Sequence, residues 1–235
     1  MTGNVTPSKS QVNKAGRTLR YWARGEPVDA DELDAARTVL LAYRAGHQYA
    51  LGKATMDLRS MVKTEGCAVE VSQRLKRVPT IIDKLRREPT LALANMQDIG
   101  GCRSVLQGIP ELRRVQRRLA KNRKPIRVND YITDPRLSGY RGVHVIVEYD
   151  HRMIEVQLRT RVMHEWAVTV ERLSGRLHAD LKSSEGPEEV LLLLGLISEA
   201  MAAEEEGETV TQATLDKMGE LRTAALPFLT GGTQS

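Results

Sequence analysis

Cysteine is nearly absent from this chain: Cys67 and Cys102 are the only two in 235 residues. They fit neither a disulfide framework nor a zinc-ligand spacing, which points to a reducing compartment and a cytoplasmic location. Long apolar runs are missing too. The longest, residues 190–197 with Gly195 inside it, falls far short of the roughly 20 residues that cross a bilayer, so no membrane partner is expected. The opening residues are polar and lack the apolar stretch of a signal peptide. No GxxxxGK(S/T) phosphate loop, HExxH zinc pair or GxSxG nucleophile elbow occurs. A His-Asp dipeptide is also lacking, which argues against a metal phosphohydrolase built on one.

The middle of the chain is short of negative charge. Residues 71–127 hold fifteen Lys or Arg against four Asp or Glu, a net of +11 in a chain whose formal charge is +5. Residues 128–182 balance at eight each, and residues 183–235 reverse the sign with two basic against ten acidic. The middle is built to meet polyanions, phosphates first among them, and the tail is not.

The length suits one domain with appended helices, or two small domains. Residues 1 to about 15 are polar and aperiodic and read as disordered. With Asp29 or Asp31 as N-cap, a helix runs through Leu33, Leu40 and Tyr43, and a second covers about 49–63 with Leu51, Leu58 and Val62 on one side. Residues 67–77 read as extended, which puts Arg74 and Lys76 on one face, whereas a helix would turn them roughly 200° apart. Pro79 then opens a helix to Arg87, and a strand over 98–106 follows. Pro110 opens a helix that turns Leu112, Val115 and Leu119 inward and Arg113, Arg114, Arg117 and Arg118 outward. Strands at 127–132, 143–149 and 153–159 come next, the last two joined by a tight turn at Asp150-His151. A helix over 161–173 and two acidic helices near 188–205 and 212–225 complete the chain. The fold class is mixed α/β (α+β), with a mixed-sheet core over 67–182, an N-terminal helical extension over 1–66 and acidic C-terminal helices over 183–235.

The chemistry concentrates in MIEVQLRT at 153–160. Alternation sends Ile154, Val156 and Leu158 into a core and lines Glu155, Gln157 and Arg159 along the opposite face. For this strand alone, an ordinary solvated face is the plainer account. Three further segments shift the balance. Asp98 in MQDIGGCR adds a second carboxylate, and two strand carboxylates suit Mg²⁺, which takes oxygen ligands and bridges substrate phosphates. Asp98 could equally cap the turn at Gly100-Gly101; it and Arg103 share a strand face only with a bulge there. Glu155 could bind metal or deprotonate an attacking hydroxyl. Arg74, Lys76 and Lys84 could neutralise a triphosphate or form a solvated basic face. In SGYRGVH, the turn after Gly139 leaves the Tyr140 ring exposed to stack on a base, and His144 could bind phosphate or bond internally. His164 and Trp166 read as structural.

Together RLKRVPTIIDK (74–84), MQDIGGCR (96–103), DPRLSGYRGVH (134–144) and IEVQLRTRVMHEWA (154–167) resemble the RelA/SpoT nucleotidyltransferase family, the alarmone synthetases. The resemblance covers about 72–171 and rests on four ordered motifs. It implies a nucleotidyltransferase-like synthetase core and transfer of the β,γ-diphosphate of ATP to a ribose 3′-hydroxyl. By matching positions, Arg74 and Arg103 would sandwich adenine, Lys76 and Lys84 hold phosphates, and Asp98 with Glu155 bind Mg²⁺. Tyr140 would stack the acceptor base, with His144, Gln157 and Arg159 supporting acceptor and phosphates. Arg136 and Ser138 stand where many members have Lys and Asn, which leaves the acceptor open. The hydrolase domain of long members finds no His-Asp motif here, so a synthetase-only form is implied.

The segments YRAGH (43–47), SQRLKR and LKSSEG (181–186) are similar to toxic small alarmone synthetases of toxin-antitoxin systems. That resemblance implies the 3′-terminal adenosine of tRNA as acceptor, an antitoxin protein as a partner, and a monomer. The basic middle segment, with Arg113, Arg114, Arg117 and Arg118 as RNA-backbone candidates, favours tRNA. A GDP/GTP or adenosine-nucleotide acceptor, or a non-catalytic nucleic-acid-binding module, are the alternatives. The acidic tail is expected to cover the basic face or dock the antitoxin, or simply to fold on itself.

Overall fold

The computed structural model describes residues 7–230. Its centre is a five-stranded sheet in the order β1-β2-β5-β4-β3, built from β1 (Val71–Leu75), β2 (Gly100–Leu106), β3 (Arg127–Asp130), β4 (Val143–Tyr149) and β5 (Arg152–Thr160). β2 and β5 run parallel, and the other neighbouring pairs are antiparallel. The helices are α1 (Lys9–Ala23), α2 (Ala30–Ala45), α3 (Gln48–Thr64), α4 (Val78–Arg87), α5 (Ile109–Asn122), α6 (Arg161–Leu177), α7 (Glu188–Glu205) and α8 (Gln212–Thr230). This is the mixed sheet with flanking helices that the hydrophobic pattern predicts. No helix among the described residues is long and apolar enough to cross a membrane.

Alternation along β5 puts Ile154, Val156 and Leu158 beside Cys102 of β2 and Val143, Val145 and Val147 of β4, making one apolar face. α3 and α5 cover that face with Leu51, Leu58 and Val62 from one and Leu112, Val115 and Leu119 from the other. Each such side chain contributes roughly 1.5–3 kcal/mol on burial. α3 therefore shares the core of the sheet, and a boundary at residue 66 does not separate two cores. The β4–β5 hairpin turns at Asp150 and His151, both left-handed at φ 47° and 61°, the two-residue geometry whose twist matches the strands.

A second cluster joins α1, α2 and α4 through Val12, Leu19, Leu40, Tyr43, Ile81 and Leu85. α1 corrects the expectation of disorder up to residue 15. Ser8 and Gln11 form a reciprocal capping box, and Val12, Ala15, Gly16 and Leu19 line the buried face at helical spacing. Residues 1–6 lie outside the described residues. A third cluster sets α7 and α8 against α6 through Trp166, Val170, Val190, Leu191 and Leu194.

His47 joins α2 to α3, buried, and its Nδ1–H donates to the Tyr43 carbonyl at 2.9 Å. Its neighbour across the packing is Gly100, where a Cβ would stand 2.8 Å from Ile154 Cδ1 and 3.6 Å from His47 Cβ. Burial, only partly opposed by the hydrogen bond, lowers the His47 pKa from 6.5 to about 4. The unfolded chain thus takes up this proton first: the stability tied to neutral His47 is complete above pH 6.5 and is lost as pH falls toward 4. The loss is on the order of 3 kcal/mol. Urea titrations across this window should show a shallower pH slope for His47→Gln than for the native protein; equal slopes would refute the assignment.

Candidate active site

The polar face of β5 looks away from α3 and α5, and strand pairing assembles the site on it. One row across the sheet reads Arg74, Gly101, Glu155, Ile146, and the next reads Ser72, Arg103, Gln157, His144, Asn129. Residues spread over more than eighty positions meet because each sits at the same parity of its strand. Gly101, without a side chain, leaves an open floor between Arg74 and Glu155.

A continuous hydrogen-bond chain runs along this face. The Tyr140 hydroxyl meets His144 Nε2 at 2.5 Å and His144 Nδ1 meets Glu155 Oε1 at 2.9 Å. Gln157 Nε2 donates to Glu155 Oε2 at 2.6 Å, and Arg159 Nη2 donates to Gln157 Oε1 at 2.9 Å. The network assigns a neutral imidazole that donates from Nδ1 to Glu155 and accepts at Nε2 from Tyr140. Burial lowers the His144 pKa despite the opposing pull of Glu155. Burial works against the Glu155 carboxylate too, but the bonds from His144 and Gln157, helped by Lys182, hold its pKa at about 2.

The second carboxylate lies outside the strands. Asp98 lies in the turn before β2, not in the strand, which begins at Gly100 and pairs with β5 one-to-one. The strand expected from 98 is therefore two residues shorter, and no bulge is needed to relate Asp98 to Arg103. Lys76 and Lys84 both donate to Asp98 Oδ2, at 2.8 and 3.2 Å. Burial pushes the Asp98 pKa up, and the two lysines outweigh it and bring it below the usual value; Glu155 acts in the raising direction, so the two carboxylates sense each other. Asp98 Oδ1 is buried without a partner. That orphan oxygen near a second carboxylate fits Mg²⁺ completed by substrate phosphates. Among the described residues no cluster of three or more His, Cys, Asp or Glu would form an all-protein metal cage.

Arg74 is exposed, and Arg103 lies diagonally across the β1–β2 ladder with Nη2 3.5 Å from Ser72 Oγ and Nε buried without a partner. Burial lowers the Arg103 pKa, and Arg159 and Arg74 add to the shift. Arg44, which sequence reasoning passed over, fixes the end of β1: its Nε donates to the Lys76 carbonyl at 2.7 Å and its Nη2 to the Leu75 carbonyl at 3.5 Å. The YRAGH segment thus supports the end of β1 and Lys76 from behind.

Tyr140 is a correction. Its side chain is fully buried, packed near Trp166 and Tyr131 at ring-centroid distances of 6.2 and 5.6 Å. Three cations lie over the ring: Lys182 at 4.9 Å, Arg159 at 5.2 Å and Arg136 at 5.7 Å. The cause is α7. Gly139, at φ +82°, lies so close to it that an added Cβ would stand 2.9 Å from Gly195 Cα, and its carbonyl accepts from Ser198 Oγ at 2.6 Å. The turn glycine presses the loop against a helix some fifty residues downstream, and the ring turns inward.

Lys182 was also missed. It follows α6 in a short 3-10 turn, Leu181–Ser183, and its Nζ lies 3.4 Å from Glu171 Oε1. Burial, then Arg159, lower its pKa to about 8 against the pull of Glu171 and Glu155. Its only sequence signal was the LKSSEG wording.

The α5 arginines do not join the site. α5 packs on the opposite, apolar face of the sheet. Arg113 pairs with Asp130, Arg118 with Glu65, and Arg114 lies 3.6 Å from Cys67 Sγ; Arg117 is exposed. Trp166 is structural, its Nε1 donating to the Leu194 carbonyl at 3.3 Å. His164 lies at the site's edge, its pKa lowered by burial and by Arg103 and Arg159.

A family model described as a region found in RelA/SpoT proteins matches residues 73–173. The chain is 32% identical over 148 residues to a GTP pyrophosphokinase of Bacillus subtilis, across 58% of this chain and 68% of that protein. It is similar in structure to the Bacillus subtilis small alarmone synthetase 1 bound to its product pppGpp, with a TM-score of 0.61 at 26% identity, over 77% of this chain and 94% of that one. A GTP pyrophosphokinase family protein from Streptococcus pneumoniae is similar at a TM-score of 0.58 and 26% identity, over 77% and 91%. By these matches, this chain belongs to the RelA/SpoT family and is a pyrophosphokinase of the small alarmone synthetase type.

Proposed function

We propose that this protein transfers the β,γ-diphosphate of ATP to the ribose 3′-hydroxyl of GDP or GTP. The observation that carries this is a pair of anionic carboxylates, Glu155 on the sheet face and Asp98 in the turn before β2, each set among cations. The acceptor 3′-oxygen attacks the β-phosphorus, the bond to the α,β-bridging oxygen breaks, AMP leaves, and the hydroxyl proton passes to solvent. Such transfer needs positioning and charge neutralisation more than covalent participation by the protein.

Lys76 and Lys84, clustered on Asp98, would hold the donor phosphates, and Arg74 with Arg103 would flank adenine above Gly101. Asp98 and Glu155 would hold Mg²⁺, which when bound neutralises and orients the transferred phosphates. Both Glu155 oxygens already accept hydrogen bonds, from His144 and Gln157, which suits a ligand and orienting group. His144, Gln157 and Arg159 would line the acceptor side, and the acceptor base reaches Tyr140 only if a cation leaves its ring.

A guanosine acceptor is favoured over tRNA on two grounds. The relatives above are named for GTP, and one holds pppGpp. The arginines that motivated an RNA backbone contact lie behind the sheet, and Arg113 and Arg118 are ion-paired there. Toxicity and an antitoxin partner rest on the resemblance alone.

Incubation with γ-labelled ATP and, separately, GDP, GTP, an adenosine nucleotide and tRNA should put label in a guanosine product. Label confined to tRNA or to adenosine would overturn the acceptor. Glu155→Gln keeps the shape and removes the charge, and should lower turnover roughly 100- to 1,000-fold with the far-UV circular dichroism spectrum still native at the assay temperature. Native turnover in that variant would remove Glu155 from the machinery.

A further inference from the structure

Resting on the reading above, we propose that Lys182 is the acceptor-side phosphate-binding residue, whose ammonium passes from Glu171 to the acceptor's 5′-phosphates when the nucleotide binds.

Lys182 is held in place by its backbone. The Leu181 side chain before it is fully buried, Arg136 Nη1 donates to the Lys182 carbonyl at 3.3 Å, and Ser183 Oγ donates to Asp180 Oδ2 at 2.8 Å. With the backbone fixed in such a turn, only the side chain's own torsions remain to be ordered on binding. Its ammonium is mostly enclosed, yet the side chain keeps 18% exposure, so a ligand can reach it.

Around it the protein supplies more positive charge than it satisfies. Arg159 is 1% exposed, and its Nε and Nη1 are buried with no hydrogen-bond partner. Leaving guanidinium donors unpaired costs kcal/mol unless a ligand or water serves them. Arg159, Arg136 and Lys182 converge on the Tyr140 ring. Of the nearby anions, Glu155 is already engaged on both oxygens by His144 and Gln157, which leaves half-exposed Glu171 as the partner of Lys182. The donor-phosphate lysines are committed to Asp98. An anion arriving at the acceptor side thus meets Arg159 and Lys182, with Glu171 the group it displaces.

Direct titration calorimetry with GDP, and separately with a non-hydrolysable ATP analogue, tests this on the full chain. Lys182→Met should weaken GDP binding at least tenfold and leave the ATP analogue within twofold, and Lys182→Arg should recover most of the loss. GDP affinity unchanged in a folded Lys182→Met overturns the inference. Should that variant fail to fold, Glu171→Gln, which frees the ammonium, is expected to tighten GDP binding; no tightening then overturns it. A native protein that binds GDP but transfers nothing to it sinks the proposed function and leaves the Lys182 contact standing. Failure to bind GDP at all sinks both.

Discussion

An ionised carboxylate in the middle of a sheet sets the terms for everything around it. Glu155 lies on β5, which is paired on both sides by β2 and β4, so its face cannot escape to an edge. Removing a carboxylate from water costs several kcal/mol unless hydrogen bonds replace its hydration. Both oxygens are therefore served, one by His144 and one by Gln157, and each donor is fixed in turn by Tyr140 and Arg159. Every member orients the next, so the chain has one satisfied arrangement. The amide of Gln157 must point its nitrogen at Glu155, which turns its oxygen to Arg159; the imidazole must carry its proton on Nδ1. The rigidity of the site follows from the cost of that one charge.

Around Glu155 the cations divide into two groups with different partners. Lys76 and Lys84 are held by Asp98, so the protein keeps them ordered without substrate. Bound phosphates would compete for these lysines and, in doing so, release Asp98 for a metal. Arg159 has no comparable carboxylate and keeps two donors unserved. One group of cations is thus preorganised by a surrogate anion, and the other keeps unserved donors.

How much of this could be read in the sequence depended on the range over which each residue's fate is decided. The alternation of MIEVQLRT, the Asp150-His151 turn and the inward face of α5 are set by neighbours within a few positions, and all three stand as the pattern gives them. The polar row was legible because β5's parity fixes which residues share a face, although its hydrogen bonds depend on His144 and Tyr140, which the fold brings in from outside the strand. α1 was not legible, since two of its four buried positions are Ala15 and Gly16 and polar residues surround the rest. Tyr140 was misjudged for a different reason: the helix that covers it enters through Gly195 and Ser198, far along the chain. Lys182 failed the same way, because only the fold brings it to Arg159.

Charge counted along the chain shares this weakness, and it bears on what the basic middle segment can meet. A window over 71–127 omits the acids that folding delivers from outside it. Asp57 pairs with Arg123, Glu65 with Arg118 and Asp130 with Arg113, while Asp180 and Glu185 reach Arg87 at 3.3 and 2.6 Å. Much of the apparent polyanion surface is thereby used to bind α5 to α3 and β3, and α4 to the start of the acidic tail. The rest of that tail does not lie over a basic face: α7 and α8 close the third hydrophobic cluster and clamp the acceptor loop at Gly139. Exposed Arg77, Arg117, Lys121, Lys124 and Arg127 stay on the surface, whereas Arg103 and Arg159 carry buried donors with no partner. Buried donors left unserved suit a small phosphorylated ligand, whereas a long nucleic-acid backbone is met by charge spread over an open face.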